Sequence, residues 1–327
     1  MKNIHALVAL GLLAFSNAAV CLGADPSYHF IKEIPIPGKA QWDYLRVDPQ
    51  AHRLYVTHGT KVEVIDLDKG AVIGAIEDTP GVHGIALAPK LGRAFTSNGQ
   101  ENKASIVDLK TLMTISKVTT GANPDSILYE PTLNEVYTFN GRGRSATVFD
   151  PESGKVITTL DLAGKPESAT ADGQAGRIYV NIEDKSEVAV IDIKAHKVVS
   201  RWPIAPGESA SGMAIDLQHH RLFMGCDNKK MVMMDSSTGK VLSTVPIGAG
   251  VDANAFDPGT QLAFSSNGED ANTTIAKEIS PDKLAVVQVL KTVVGARTMA
   301  LNPQTHEIYL PAPTPSFRVL VYGVDKP

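Results

Sequence analysis

Seven residues spaced about 40 to 45 positions apart carry most of the chemistry this chain could do: Asp43, His83, Asp125, Glu167, Ser211, Asp252 and Arg297. Each stands six residues before a turn position, as in Asp48-Pro49, Ala88-Pro89, Glu130-Pro131, Asp257-Pro258 and Asn302-Pro303. Four of the seven are carboxylates. Gathered around one opening they repel each other, so at least one must hold its proton unusually tightly or a cation must bind among them. Carboxylate oxygens with a few amide carbonyls suit Ca²⁺ or Mg²⁺, and adding His83 moves the preference toward Mn²⁺, Fe²⁺ or Zn²⁺. Asp43, His83, Asp125 and Glu167 form the candidate metal set. Arg297 pulls the other way, either neutralising Asp43 or Asp252 internally or clamping an anionic ligand. Three outcomes stay open: solvated residues that pair with each other, an organic or peptide ligand, or a divalent cation.

What must position these residues is a repeat. Arg53-Leu-Tyr-Val-Thr57 recurs as Arg93–Ser97, Glu135–Phe139, Arg177–Asn181, Arg221–Gly225, Gln261–Ser265 and Glu307–Pro311. Within one period four strands of 4 to 7 residues alternate with turns rich in Gly, Asn, Asp and Pro, such as Asp235-Ser-Ser-Thr-Gly239. Seven such periods predict an all-β fold, a seven-bladed β-propeller of four-stranded antiparallel blades. The last period supplies only three strands. Residues 28–37 resemble a fourth strand and are expected to close the last blade from outside. Two positions beyond the chemical ring stand Leu45, Ile85, Ile127, Ala169, Met213, Asn254 and Met299, an almost wholly apolar layer. A polar ring above it marks a channel mouth.

A second tier of candidate ligand contacts follows each repeat aromatic on the same face: His58, Asn98, Asn140, Arg142, Cys226 and Asn267. Their Asn-Gly pairs are also ordinary turn chemistry. His52, His219, His220, His306 and His196 fall on the opposite face and are expected to be solvated turn residues. His219-His220 lacks a third metal ligand at useful spacing.

Lys2, the apolar run Ala6–Phe15 and Ser16-Asn17-Ala18 have the pattern of a secretory signal peptide, with cleavage near residues 18–24. Residues 25–327 then form one propeller domain, periplasmic or secreted, without a transmembrane segment and expected to be monomeric. Cys21 lies at the cleavage region, which leaves Cys226 as the thiol of the mature chain and excludes an internal disulfide framework. A formal charge of −4 gives no drive toward nucleic acid or anionic membrane. Gly-x-Ser-x-Gly, His-Glu-x-x-His, Cys-x-x-Cys-His and phosphate-loop motifs are absent from the sequence.

Tyr55-Val-Thr57, Tyr179-Val-Asn181, Asp-Ser-Ser-Thr-Gly-Lys-Val at 235–241 and Pro-Ile-Gly-Ala-Gly at 246–250 resemble the YVTN-type propeller repeat, and residues 28–324 resemble YncE-like periplasmic proteins. The resemblance implies an exported seven-bladed propeller; single-stranded DNA binding is attributed to some members. An acidic chain with only Trp42 and Tyr44 as aromatics near the mouth fits that role poorly. The expected function is a binding or interaction module whose partner is a small molecule or a periplasmic protein. One alternative is a lactonase-like, metal-assisted hydrolase with a divalent cation as cofactor at the mouth. Another is a propeller associated with a quinone cofactor or a redox partner.

Overall fold

The computed structural model describes residues 27–325. The expected leader, including Cys21, lies outside the described residues. Among them, 28 strands form seven separate four-stranded antiparallel sheets. The innermost strands of blades 1 to 7 are Trp42–Asp48, Val82–Ala88, Pro124–Glu130, Pro166–Asp172, Ala210–Asp216, Val251–Asp257 and Ala300–Asn302.

The repeat aromatics explain why the blades form a ring. Tyr55, Phe95, Tyr137, Tyr179, Phe223, Phe264 and Tyr309 are all at most 1% exposed. Each packs into the apolar cluster shared with the following blade: Tyr55 meets Val82 and Ile85 of blade 2, and Tyr309 of blade 7 meets Leu45 and Leu54 of blade 1. Seven clusters fill seven interfaces, so burial is distributed around the ring and no single core is needed. One boundary shifts. In blade 6 the strand begins at Leu262, and Gln261 has φ +58. Gln261 thus holds the left-handed turn position that His52, His220, His306 and Asn134 hold in other blades. Those histidines occupy a backbone slot, which accounts for their recurrence in turns.

The ring closes as expected. The strand His29–Pro35 pairs antiparallel with Arg318–Gly323 as the outer strand of blade 7. Ile34 is fully buried in the cluster joining blades 7 and 1. Ile34→Ala is expected to lower unfolding stability by roughly 2–4 kcal/mol, because it leaves a cavity at the closing seam. Chemical denaturation checks this, and a change below roughly 0.5 kcal/mol would mean that the N-terminal strand does not fasten the ring.

Candidate functional site at the channel mouth

The ring residues share a backbone device. In blades 1 to 6 the innermost strand slips register where the ring residue sits, between Trp42 and Leu45, Val82 and Gly84, Pro124 and Ser126, Pro166 and Ala169, Ala210 and Met213, and Val251 and Ala253. Such a bulge re-aims a side chain and frees its backbone groups from the ladder. Neighbouring blades then take up freed carbonyls. Thr298 Oγ1 donates to Asp43 O (2.7 Å), Ser97 Oγ to Asp125 O (2.6 Å), Ser126 Oγ to Glu167 O (2.5 Å) and Asn181 Nδ2 to Ser211 O (3.0 Å). Ser266 Oγ does the same for Arg297 O. The ring is therefore stitched from blade to blade through its backbone.

The side chains converge as the repeat predicts. His83 Nδ1 lies 2.7 Å from Asp43 Oδ2 and 3.7 Å from Asp125 Oδ1. Asp43, His83 and Asp125 each place one ligand atom within 4.8 Å of the others. Arg297 Nε pairs with Asp252 Oδ2 at 2.8 Å, and Ser211 Oγ donates to Asp252 Oδ1 at 2.9 Å. The Arg297 guanidinium also sits 5.6 Å over the Trp42 ring. Of the two acids Arg297 could neutralise, it pairs with Asp252. Lys165, which the repeat did not single out, lies 2.7 Å from Glu167 and also pairs with Glu183.

These local pairs do not balance the ring. Four carboxylates face Arg297, Lys165 and one imidazole. Burial, then the Asp125 charge, pushes the Glu167 carboxyl up to about 8 against the pull of Lys165. Burial pushes Asp125 up to about 6, where His83 pulls back and Asp43 adds to the rise. Burial and then Asp43 push Asp252 up to about 6 against Arg297. Burial alone would lower His83, but its hydrogen bond to Asp43 and the charges of Asp125, Asp43 and Glu167 outweigh it, so the imidazole holds its proton above the ordinary range. Tyr44, expected near the mouth only as an aromatic, is electrostatically part of the ring. Burial and then the charges of Asp252, Asp43, Asp125 and Glu167 raise its phenol far above the usual range. Those acids come from blades 1, 3, 4 and 6, so the Tyr44 side chain reaches toward the channel axis.

The second tier is placed differently. Asn98, Asn140 and Asn267 are fully buried and bonded within their own blades: Asn98 to Glu101 and Ser105, Asn140 to Ser145 and Thr147, and Asn267 to Asn272 and Thr274. His58 is buried between Glu63 (2.9 Å) and Lys39 O (2.7 Å). Cys226 is fully buried, and burial pushes its thiol up to about 12, which removes it as a nucleophile or thiolate ligand near neutral pH. Arg142 is exposed. These side chains other than Arg142 are committed to the blades and have no surface to offer a ligand. What reaches the ring from these loops is the glycine after the asparagine. A Cβ on Gly99 would lie 2.6 Å from His83 Nε2, one on Gly141 3.6 Å from Asp125 Oδ2, and one on Gly268 2.7 Å from Arg297 Cβ. Gly99→Ala is expected to push the imidazole off Asp43 and bring its titration back toward the ordinary histidine range. An unchanged His83 midpoint by NMR would show that the contact yields without moving the ring.

On the opposite face the histidines are more engaged than expected. His306 Nδ1 lies 2.7 Å from the buried Asp257, His196 2.9 Å from Glu135, and His52 3.0 Å from Asp68. His219 does acquire two acidic neighbours, Asp216 at 2.5 Å and Glu278 at 3.7 Å. Its Nδ1 is committed to Asp216, and Arg221 Nε stands 3.8 Å from Glu278, so the cluster carries its own cation.

No protein-family model and no curated protein matches the chain. Solved structures do. A chain of the Kuenenia stuttgartiensis hydrazine synthase aligns with TM-score 0.76 at 14% identity, over 95% of this chain and all of that one. A chain of a mitotic checkpoint complex aligns with TM-score 0.79 at 14% identity, over 99% of both. Likeness at this identity concerns the fold alone: this chain is a seven-bladed β-propeller.

Proposed function

We propose that this protein is an exported YncE-like binding module that takes a cationic ligand at the acidic mouth of its channel. The observation that carries this is the charge imbalance of the ring. Asp43 and Asp125 have no lysine or arginine of their own and share His83 in a recess only 15–28% exposed. A positive group placed there relieves repulsion that the blades themselves do not cancel. Affinity should rise with pH, because Asp125 and Glu167 must release protons to bind a cation. Calorimetric titration with Mn²⁺, Zn²⁺ and spermidine tests this. Saturable binding should strengthen at least tenfold between about pH 5.5 and 8 and vanish in Asp125→Asn. Absence of saturation with all three probes would sink the reading.

A second reading, metal-assisted hydrolysis, is favoured by the ligand atoms of Asp43, His83 and Asp125 lying within 4.8 Å. There the three side chains would hold a divalent ion that polarises a substrate oxygen, with Glu167 as the proton-bearing group. Lactone turnover that needs added metal and is lost in His83→Ala would establish it over the first. The leader-like segment supports export, and cell fractionation checks it.

A further inference from the structure

Beneath the acid ring the channel changes character. A cavity of about 670 Å³ runs along the innermost strands from Tyr44 to Pro49, Pro258 and Pro303 in the turns of the opposite face. Its size is that of a small-molecule site, and such sites are mostly apolar with a few placed polar groups. Its walls mix apolar side chains with hydroxyls, the Asn254 amide and backbone polar groups, and Arg46 is the only charged side chain among its described lining residues.

The seven repeats act as an internal comparison. Where blade 1 has Arg46, the other blades have Ala86, Leu128, Thr170, Ala214, Ala255 and Ala300. Where blade 1 has Tyr44, the others have Gly84, Ser126, Ser168, Gly212, Ala253 and Thr298. One blade thus projects two long polar side chains where six keep uncharged, mostly small ones. Strand alternation puts both on the same side of their strand. The Tyr44 phenol feels the charge of the acids and also lines the cavity. Arg46 belongs to the cavity itself.

Arg46 makes no hydrogen bond or ion pair among the described residues. The side chain is exposed to the lumen of the channel; the protein atoms crowded around it lower the affinity of its guanidinium for its proton, and no carboxylate offsets this. The group stays charged regardless, since arginine does not release its proton in proteins. An exposed guanidinium without a counter-charge is open to an anion, and the apolar side chains that share its cavity favour one that also brings apolar surface.

We propose that this cavity binds a small organic carboxylate with an apolar body, its carboxylate paired with the Arg46 guanidinium. The ligand reaches Arg46 from the turn face, away from the acids of the mouth, and its apolar portion lies against such residues as Ile85, Met213 and Met299. The site is independent of the cation site proposed for the mouth.

Decanoate and decanol, matched in chain length and differing in charge, are suitable probes for titration calorimetry on the mature chain. Decanoate should bind saturably and at least tenfold more tightly than decanol. Arg46→Met should weaken decanoate at least tenfold and leave decanol unchanged, while Arg46→Lys should retain part of the preference. Asp125→Asn, which disables the mouth, should leave decanoate affinity unchanged. The proposal is overturned by equal affinity for acid and alcohol, by Arg46→Met binding decanoate as wild type does, or by no saturation up to about 5 mM. Should Arg46→Met fail to fold by circular dichroism, the acid–alcohol ratio in wild type and Arg46→Lys still decides.

Discussion

Glu167→Gln should make this protein more stable at about pH 8.5 and leave it nearly unchanged at about pH 4. The Glu167 carboxyl is 9% exposed and is pushed up to about 8 by burial and by Asp125, against an ordinary value of 4.5. Between those two values the unfolded chain has released this proton and the folded chain still holds it. Stability therefore falls as pH rises from the lower value through the higher one, and the full cost remains above it. Each factor of ten in proton affinity is worth about 1.4 kcal/mol, so removing the charge should return roughly 2–4 kcal/mol at high pH. Lys165 loses one partner in the exchange but keeps Glu183. Urea denaturation at the two pH values separates the outcomes. A variant equally destabilised at both would show that the Lys165 contact outweighs the crowding of acids. A bound cation should shrink the gain, because it offsets the same repulsion.

How much of this was legible in the sequence depends on what the repeat can transmit. Position within a period fixes backbone location, so the seven ring residues, the apolar layer beneath them and the closing strand around Ile34 could all be placed from spacing. Spacing does not fix side-chain direction. Asn98, Asn140 and Asn267 occupy one repeat position on the correct face, yet they turn inward to tie their own loops, and the following glycines meet the ring. The signal was present in the Asn-Gly pairs, where the amide builds the turn and the missing Cβ admits the neighbour. Lys165 was missed because it precedes its strand, in a loop the period does not constrain. Tyr44 and Arg46 were visible as departures from small residues at their repeat positions. Their meaning needs the third dimension, since only the ring geometry shows that one blade can fill a space shared by seven.

That geometry also gives the channel opposite electrical ends. The mouth gathers crowded carboxylates and the cavity holds an unpaired guanidinium, and the Tyr44 phenol both feels the acids and lines the cavity. Arg46 has no partner among the described residues, whereas Asp125 shares the single imidazole of His83 with Asp43. Both ends retain charge that a ligand can use.

Arg297→Met should be the most damaging single change at the mouth, with a penalty that depends on pH. Arg297 is the one guanidinium of the ring. It pairs with Asp252 of blade 6 while lying over Trp42 of blade 1, so it braces two blades across the seventh. Its removal leaves the Asp252 carboxylate among Asp43 and its neighbours with only the Ser211 hydroxyl. Asp252 already titrates at about 6, and losing the cation must raise it further. Above about pH 7 wild type keeps a charged pair where the variant has lost the cation, a loss of roughly 1–2 kcal/mol because solvent screens the half-exposed arginine. Below about pH 5 the carboxyl is protonated in both, and the deficit should contract to the lost packing on Trp42, roughly 0.5–1 kcal/mol. Adding Asp252→Asn to Arg297→Met should recover most of the loss at high pH and almost nothing at low pH. A deficit that stays constant across this range, or a double variant no more stable than the single, would show that Arg297 acts by packing and not by holding charge at the mouth.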